Sequence, residues 1–170
     1  REMSGVAAAK KDLFQNKCYV IVEKDDVPAE IHNKVCELVK LTGANLTTLD
    51  IAKHDRCASV ISHIPHVAAA ALVTLLNRSH GDQEACLKLA GGGFKDTTRI
   101  ASSNADMWAD ICMTNSEAII NHIHLLQGIL GEVAQAIASG DRQAVHDYFA
   151  HSKERRDSIL EQTKNMYELI

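Results

Sequence analysis

Aromatic side chains are scarce in this chain, at 4% of 170 residues, against 46% hydrophobic residues in all. A core filled by Ala, Leu, Ile and Val suits closely packed helices better than a β-sandwich. Prolines number two, Pro28 and Pro65, so long helices can run with a single interruption. Charge of one sign is also lacking. The formal net charge is −4 with both signs interspersed, which advertises neither a nucleic-acid nor a membrane surface. No apolar run reads as membrane-spanning and no signal-peptide pattern opens the chain. No CxxC pair occurs; Cys18, Cys36, Cys57, Cys86 and Cys112 are odd in number and scattered. Reduced, buried thiols in a cytoplasmic protein are expected, and zinc is not implied.

The pattern that is present divides the chain in two. Cys18-Tyr19-Val20-Ile21-Val22 is an apolar, β-branched run that reads as a buried strand. Pro28 sits where a helix begins, Ile31, Val35, Leu38 and Val39 follow at helical spacing, and Gly43 closes the helix. Ala44–Leu49 then reads as a second strand, so 17–50 forms one β-α-β unit. Two strands do not make a stable sheet alone; they belong to the edge of a larger sheet or to a partner. From Ile51 on, the chain reads as helical. Ile51–Asn77 is long and Ala-rich with a bend at Pro65, short helices are predicted at 82–89, 94–102 and 105–115, the last capped by Asn104 or Ser103, and two longer helices follow. Ile119, Ile123, Leu126, Leu130, Val133 and Ile137 form a stripe that asks for a helical partner. Ser139-Gly140-Asp141 ends it, and a weaker amphipathic helix covers about 141–167. The fold class is therefore mainly α, a β-α-β remnant at 1–50 followed by an all-helical domain at 51–170.

Gly91-Gly92-Gly93, followed by Lys95, Asp96 and Arg99, reads as a place to receive an anion. Glycines permit close approach or positive φ, and free N–H groups gather at a helix start. Arg99 offers a planar fork for a carboxylate or phosphate, with Asp96 one turn earlier to hold it; the plainer alternative is a surface i,i+3 pair. His63 and His66 lie three apart on one helical face around Pro65, with His54-Asp55 earlier on the same helix. A metal-dependent phosphohydrolase would need more ligands than this, drafting His32 and Asp106 or Asp110, and HxxH is not HExxH. Trp108, the single tryptophan, is a core residue by default, or a ligand or subunit contact.

Together these blocks resemble the prephenate/arogenate dehydrogenase family. His54-Asp55 with Ser62-His63-Ile64-Pro65-His66 is similar to the family's HD…SHLPH stretch. Gly92-Gly93-Phe94-Lys95-Asp96-Thr97-Thr98-Arg99-Ile100-Ala101 is similar to its GGF(R/K)DxTRIA block, and Asp106-Met107-Trp108-Ala109-Asp110-Ile111 to its MW.DI continuation. Arg1-Glu2-Met3-Ser4-Gly5-Val6 resembles the segment directly after the family's HP(M/I)AG motif.

The resemblance implies oxidative decarboxylation of prephenate or arogenate with hydride passing to NAD or NADP. It places the catalytic histidine and the Gly-rich cofactor loop upstream of Arg1, so no catalytic residue is expected within this chain, the cofactor is held mainly by the missing N-terminal half, and the fragment alone is expected to be inactive. It further implies that Arg99 grips a substrate carboxylate, that Asp96 and Glu2 form an ionic network around it, and that His66 and Gly92 line the pocket for substrate or inhibitory tyrosine. His54 would lie in the helix wall and Trp108 near the mouth. The helical domain would form an intertwined homodimer. A non-catalytic dimerisation or ligand-sensing module is the reading from another class.

Overall fold

The computed structural model describes residues 5–6, 9–24, 26–79 and 83–168, with side chains through Thr163 in the final helix. Two units make up the chain, one holding Ile51–Ile123 and the other Gly5–Asp50 together with His124–Ile170.

In the second unit, strand β1 (Cys18–Glu23) pairs in parallel with β2 (Asn45–Asp50), Cys18 opposite Asn45 and Glu23 opposite Asp50. Helix α1 (Ala29–Leu41) makes the crossover. Pro28 caps it with extended ψ, and its carbonyl accepts from Ile31 N–H at 2.9 Å. Gly43, at φ +75°, reverses the chain into β2, a conformation that favours glycine. The two strands form a sheet by themselves among the described residues, which leaves an unpaired edge on each.

The helical part opens with α2 (Ile51–Ala58), a π-helical turn at Ser59–His63, and α3 (Ile64–Arg78). Pro65 does not simply bend an α-helix, as its sequence position suggested. The wider turn comes first, with Ile64 N–H donating to the Ser59 carbonyl, and the ladder is already re-registered where proline has no donor to give. These pieces join into a 28-residue helix long and apolar enough to cross a membrane by length and composition alone, which corrects the expectation that no such run exists. One of its polar residues is tied to a neighbouring helix. Ser59, fully buried, sits 2.8 Å from His122 Nδ1 on α7.

Next come α4 (Gln83–Leu89), α5 (Gly92–Thr98), a 3₁₀ turn (Arg99–Ser102), α6 (Ala105–Thr114), α7 (Ser116–Ala138) and α8 (Arg142–Glu168). Asn104 is the cap of α6, its side-chain oxygen accepting from Met107 N–H at 2.9 Å. Gly140, at φ +69°, ends α7, and Asp141 accepts from Ala144 N–H to start α8.

Little is buried within one copy of the chain. Among the described residues the buried apolar side chains are Val39, Ala44, Ala69 and Ile119. Of the predicted stripe on α7, Ile119 is buried, but Leu130 is 56% exposed, and Leu125 on another side is 61% exposed. On the 51–78 helix, Ile61 and Leu75 are 77% and 62% exposed. All five cysteines are free, as expected of reduced thiols, but none is buried as expected, and Cys18 and Cys57 are exposed.

Candidate functional site

The site lies within the Ile51–Ile123 unit. Two histidines one helical turn apart meet one tryptophan. The His66 ring stacks on Trp108 with centroids 3.9 Å apart and planes at 25°, and His63 meets Trp108 edge-on at 6.1 Å and 79°. The i,i+3 spacing across the π turn puts both imidazoles toward α6, where Trp108 stands on the second turn. Such a contact contributes about 0.5–1.5 kcal/mol beyond the area it buries. Beside the stack is a cavity of about 410 Å³, lined largely by apolar atoms, with His66, Ala70, Ile100, Ala101, Trp108 and Cys112 in its wall. Trp108 Nε1 is buried without a hydrogen-bond partner, a rare state for an indole donor.

Hydrogen bonds determine which nitrogen of each histidine carries the proton. His66 Nδ1 lies 2.9 Å from the Ser62 carbonyl, which only accepts, so Nδ1–H donates and the neutral ring keeps its lone pair at Nε2. His54 Nδ1 likewise donates to the Asp55 carboxylate at 2.9 Å. His63 is the reverse case. Asn115 Nδ2 donates to the Asp55 carbonyl at 2.8 Å, which fixes the amide's orientation, and the same nitrogen is 3.2 Å from His63 Nδ1. That ring nitrogen must accept, leaving the proton on Nε2.

Burial holds the His63 pKa below its usual value, an effect the Asp55 charge opposes and His54 and His66 reinforce. The folded chain therefore favours neutral His63. The corresponding stability is present above the unfolded value near 6.5 and is lost as pH falls below it.

The triple glycine does not behave as the sequence suggests. Helix α5 starts at Gly92, with Gly91 as its cap at φ −86°, so Gly92 and Gly93 lie inside the helix rather than before it. A Cβ on Gly91, Gly92 or Gly93 would meet nothing within 4 Å. Neither conformation nor packing within one copy demands glycine there. Gly93→Ala is accordingly expected to stabilise the folded chain by roughly 0.5 kcal/mol in a denaturant melt, since alanine loses less backbone entropy.

Arg99 is exposed, opens the 3₁₀ turn whose next two residues line the cavity, and is itself engaged in an interaction. The predicted helix at 94–102 is thus α5 plus this turn. Asp96, one turn earlier, is exposed. Glu2 lies outside the described residues. Gly92, Asp96 and His54 are not among the residues lining the His66–Trp108 cavity. Among the described residues no group of three His, Cys, Asp or Glu could hold a metal ion. Asn115, Ser59 and His122 were not legible as site residues. Each acts through a partner more than 50 positions away, and no local pattern announces that.

The family described as "Prephenate dehydrogenase, dimerization domain" matches residues 50–151. Prephenate dehydrogenase of Bacillus subtilis (strain 168) is 33% identical over 156 residues, covering 92% of this chain and 42% of that protein. The cyclohexadienyl dehydrogenase of Zymomonas mobilis is 25% identical, covering 91% of this chain and 53% of that one. The solved structure of prephenate dehydrogenase from A. aeolicus, in complex with hydroxyphenyl propionate and NAD+, superposes with a TM-score of 0.87 at 28% identity, over 94% of this chain and 56% of that one. Synechocystis arogenate dehydrogenase shares the fold, with a TM-score of 0.82 at 23% identity over 91% of this chain and 56% of that one. The chain thus spans about half the length of these relatives.

Proposed function

The chain belongs to the prephenate dehydrogenase family, and from that premise we propose that it is the substrate-binding and dimerisation portion of an NAD-dependent dehydrogenase acting on prephenate or arogenate. The observation that carries this reading is the His66–Trp108 stack beside an apolar cavity, with the Arg99 turn supplying two residues of the wall. A six-membered carbocycle fits an aromatic and aliphatic wall, and a carboxylate suits a guanidinium. The hydroxyphenyl propionate of the A. aeolicus complex has that combination of ring and carboxylate.

The residues here do not fit the cofactor's pyrophosphate. The β1–α1 connection contains Asp25-Asp26-Val27-Pro28, with acidic groups and a proline where that site needs glycines and free N–H donors. We therefore assign NAD or NADP, and the hydride chemistry, to segments of the family protein beyond the matched half. Residues 1–50 are read as the edge of the dinucleotide-binding domain and 51–170 as the substrate and dimerisation domain. What this chain's own residues do is bind and orient. Arg99 takes a carboxylate, His66 offers an acceptor at Nε2, and Trp108 covers the ring. Gly92, Asp96, His54 and Glu2 belong to the surrounding cleft on this reading, tyrosine competes for the same pocket, two copies form a homodimer, and the location is the cytoplasm.

Trp108 is the single tryptophan, so its fluorescence reports on the cavity directly. Titrating the chain with hydroxyphenyl propionate is expected to give a saturable change that His66→Ala abolishes. No change up to millimolar ligand overturns the reading. A second reading, a ligand-sensing module without catalysis, shares this cavity. It is distinguished by whether the longer protein reduces NAD in the presence of prephenate.

A further inference from the structure

We propose that Asn115 is a positioning residue: its side-chain amide bridges the Asp55 carbonyl and His63 Nδ1, and so locks His63 as the neutral Nε2–H tautomer against the edge of Trp108. The geometry leaves little freedom. Asn115 is the residue at which α6 ends and is followed directly by α7, with backbone φ −116° and ψ 36°, so its side chain is placed by the corner between two helices. Its Nδ2 carries two protons and has two acceptors in reach, Asp55 O at 2.8 Å and His63 Nδ1 at 3.2 Å. Both bonds cross from the α6–α7 corner to the 51–78 helix, one to Asp55 ahead of the π turn and one to His63, the turn's last residue.

The amide therefore clamps the widened turn and selects a tautomer in one contact. The groups facing His63 are Asp55, His54 and His66 along its own helix and Trp108 and Asn115 from α6 and its end. Among the described residues, Asn115 is the hydrogen-bond partner of the His63 ring. The consequence is a wall of fixed polarity. His66 shows a lone pair at Nε2 and His63 keeps its proton at Nε2, with Trp108 against both rings. The bearing of this wall on substrate rests on the function proposed above; the tautomer lock does not.

Long-range ¹H–¹⁵N spectra of the histidine-labelled chain, recorded across the pH range in which imidazole titrates, test the lock. The wild-type chain is expected to show His63 Nδ1 as the unprotonated nitrogen and Nε2 as the protonated one. Asn115→Asp places a carboxylate where the amide donated, so the proton should move to Nδ1 and the midpoint should rise. Asn115→Ala should leave a mixture of tautomers. A wild-type His63 protonated at Nδ1 overturns the proposal whatever the variants do. So does a folded variant whose His63 shifts and midpoint match wild type.

On the same samples, hydroxyphenyl propionate binding read by Trp108 fluorescence should weaken roughly fivefold in Asn115→Ala, the effect of losing one hydrogen bond that holds the wall. A changed tautomer with unchanged affinity overturns the positioning role. Loss of binding in the wild type itself would instead count against the proposed function and leave the spectroscopic result standing.

Discussion

On the proposed function, replacing Arg99 with lysine is expected to raise KM for the substrate about 10- to 100-fold in a dehydrogenase that carries this chain, because losing a charge-assisted fork costs about 1.5–3 kcal/mol. Lysine keeps the charge but presents an ammonium on a flexible stem, so the two parallel N–H bonds to a carboxylate become one. Since the lost contact is made in the ground state as well as the transition state, kcat should change far less than KM. Arg99 starts the turn that delivers Ile100 and Ala101 to the cavity. Circular dichroism of the variant should therefore be compared with wild type, to separate loss of the fork from loss of the turn. Steady-state kinetics showing an unchanged KM would remove Arg99 from the substrate site.

On the proposed homodimer, Leu125→Asp together with Leu130→Asp should convert dimers into monomers. Both leucines are more than half exposed in a single chain, on a helix whose Ile119 is already buried by its own fold. Helix α7 is thus apolar on more sides than one copy covers. Covering a leucine contributes about 1.5–3 kcal/mol, and in a two-fold dimer each substitution acts twice. Even one such loss per subunit weakens association about a thousandfold, before the cost of burying a carboxylate is added. Sedimentation velocity at micromolar concentration is the measurement. A wild-type chain that sediments as a monomer, or a double variant that remains a dimer, would show that these faces are covered by something other than a second copy.

Legibility from sequence followed the range of the interactions. Pro28 and Gly43 bracket α1, Asn104 caps α6 and Gly140 ends α7 as read, because each position depends on backbone conformation within a few residues. The His63–His66 spacing announced a shared face, and the structure turns that face to Trp108. The triple glycine does not precede its helix but enters it, because helical φ is as open to glycine as any other.

By itself, then, the sequence determined the order and type of the elements, the β-α-β unit with too few strands, the apolar stripe that one copy leaves partly uncovered, and the family blocks that carry His66, Arg99 and Trp108. Those follow from periodicity and local conformation, which neighbouring residues encode. Only the tertiary structure decided the π turn ahead of Pro65, the stack of His66 on Trp108, the burial of Ser59 against His122, and the tautomer of His63. Each of these depends on bringing the 51–78 helix against α6 and α7, and hydrogen bonds across that distance leave no periodic trace along the chain.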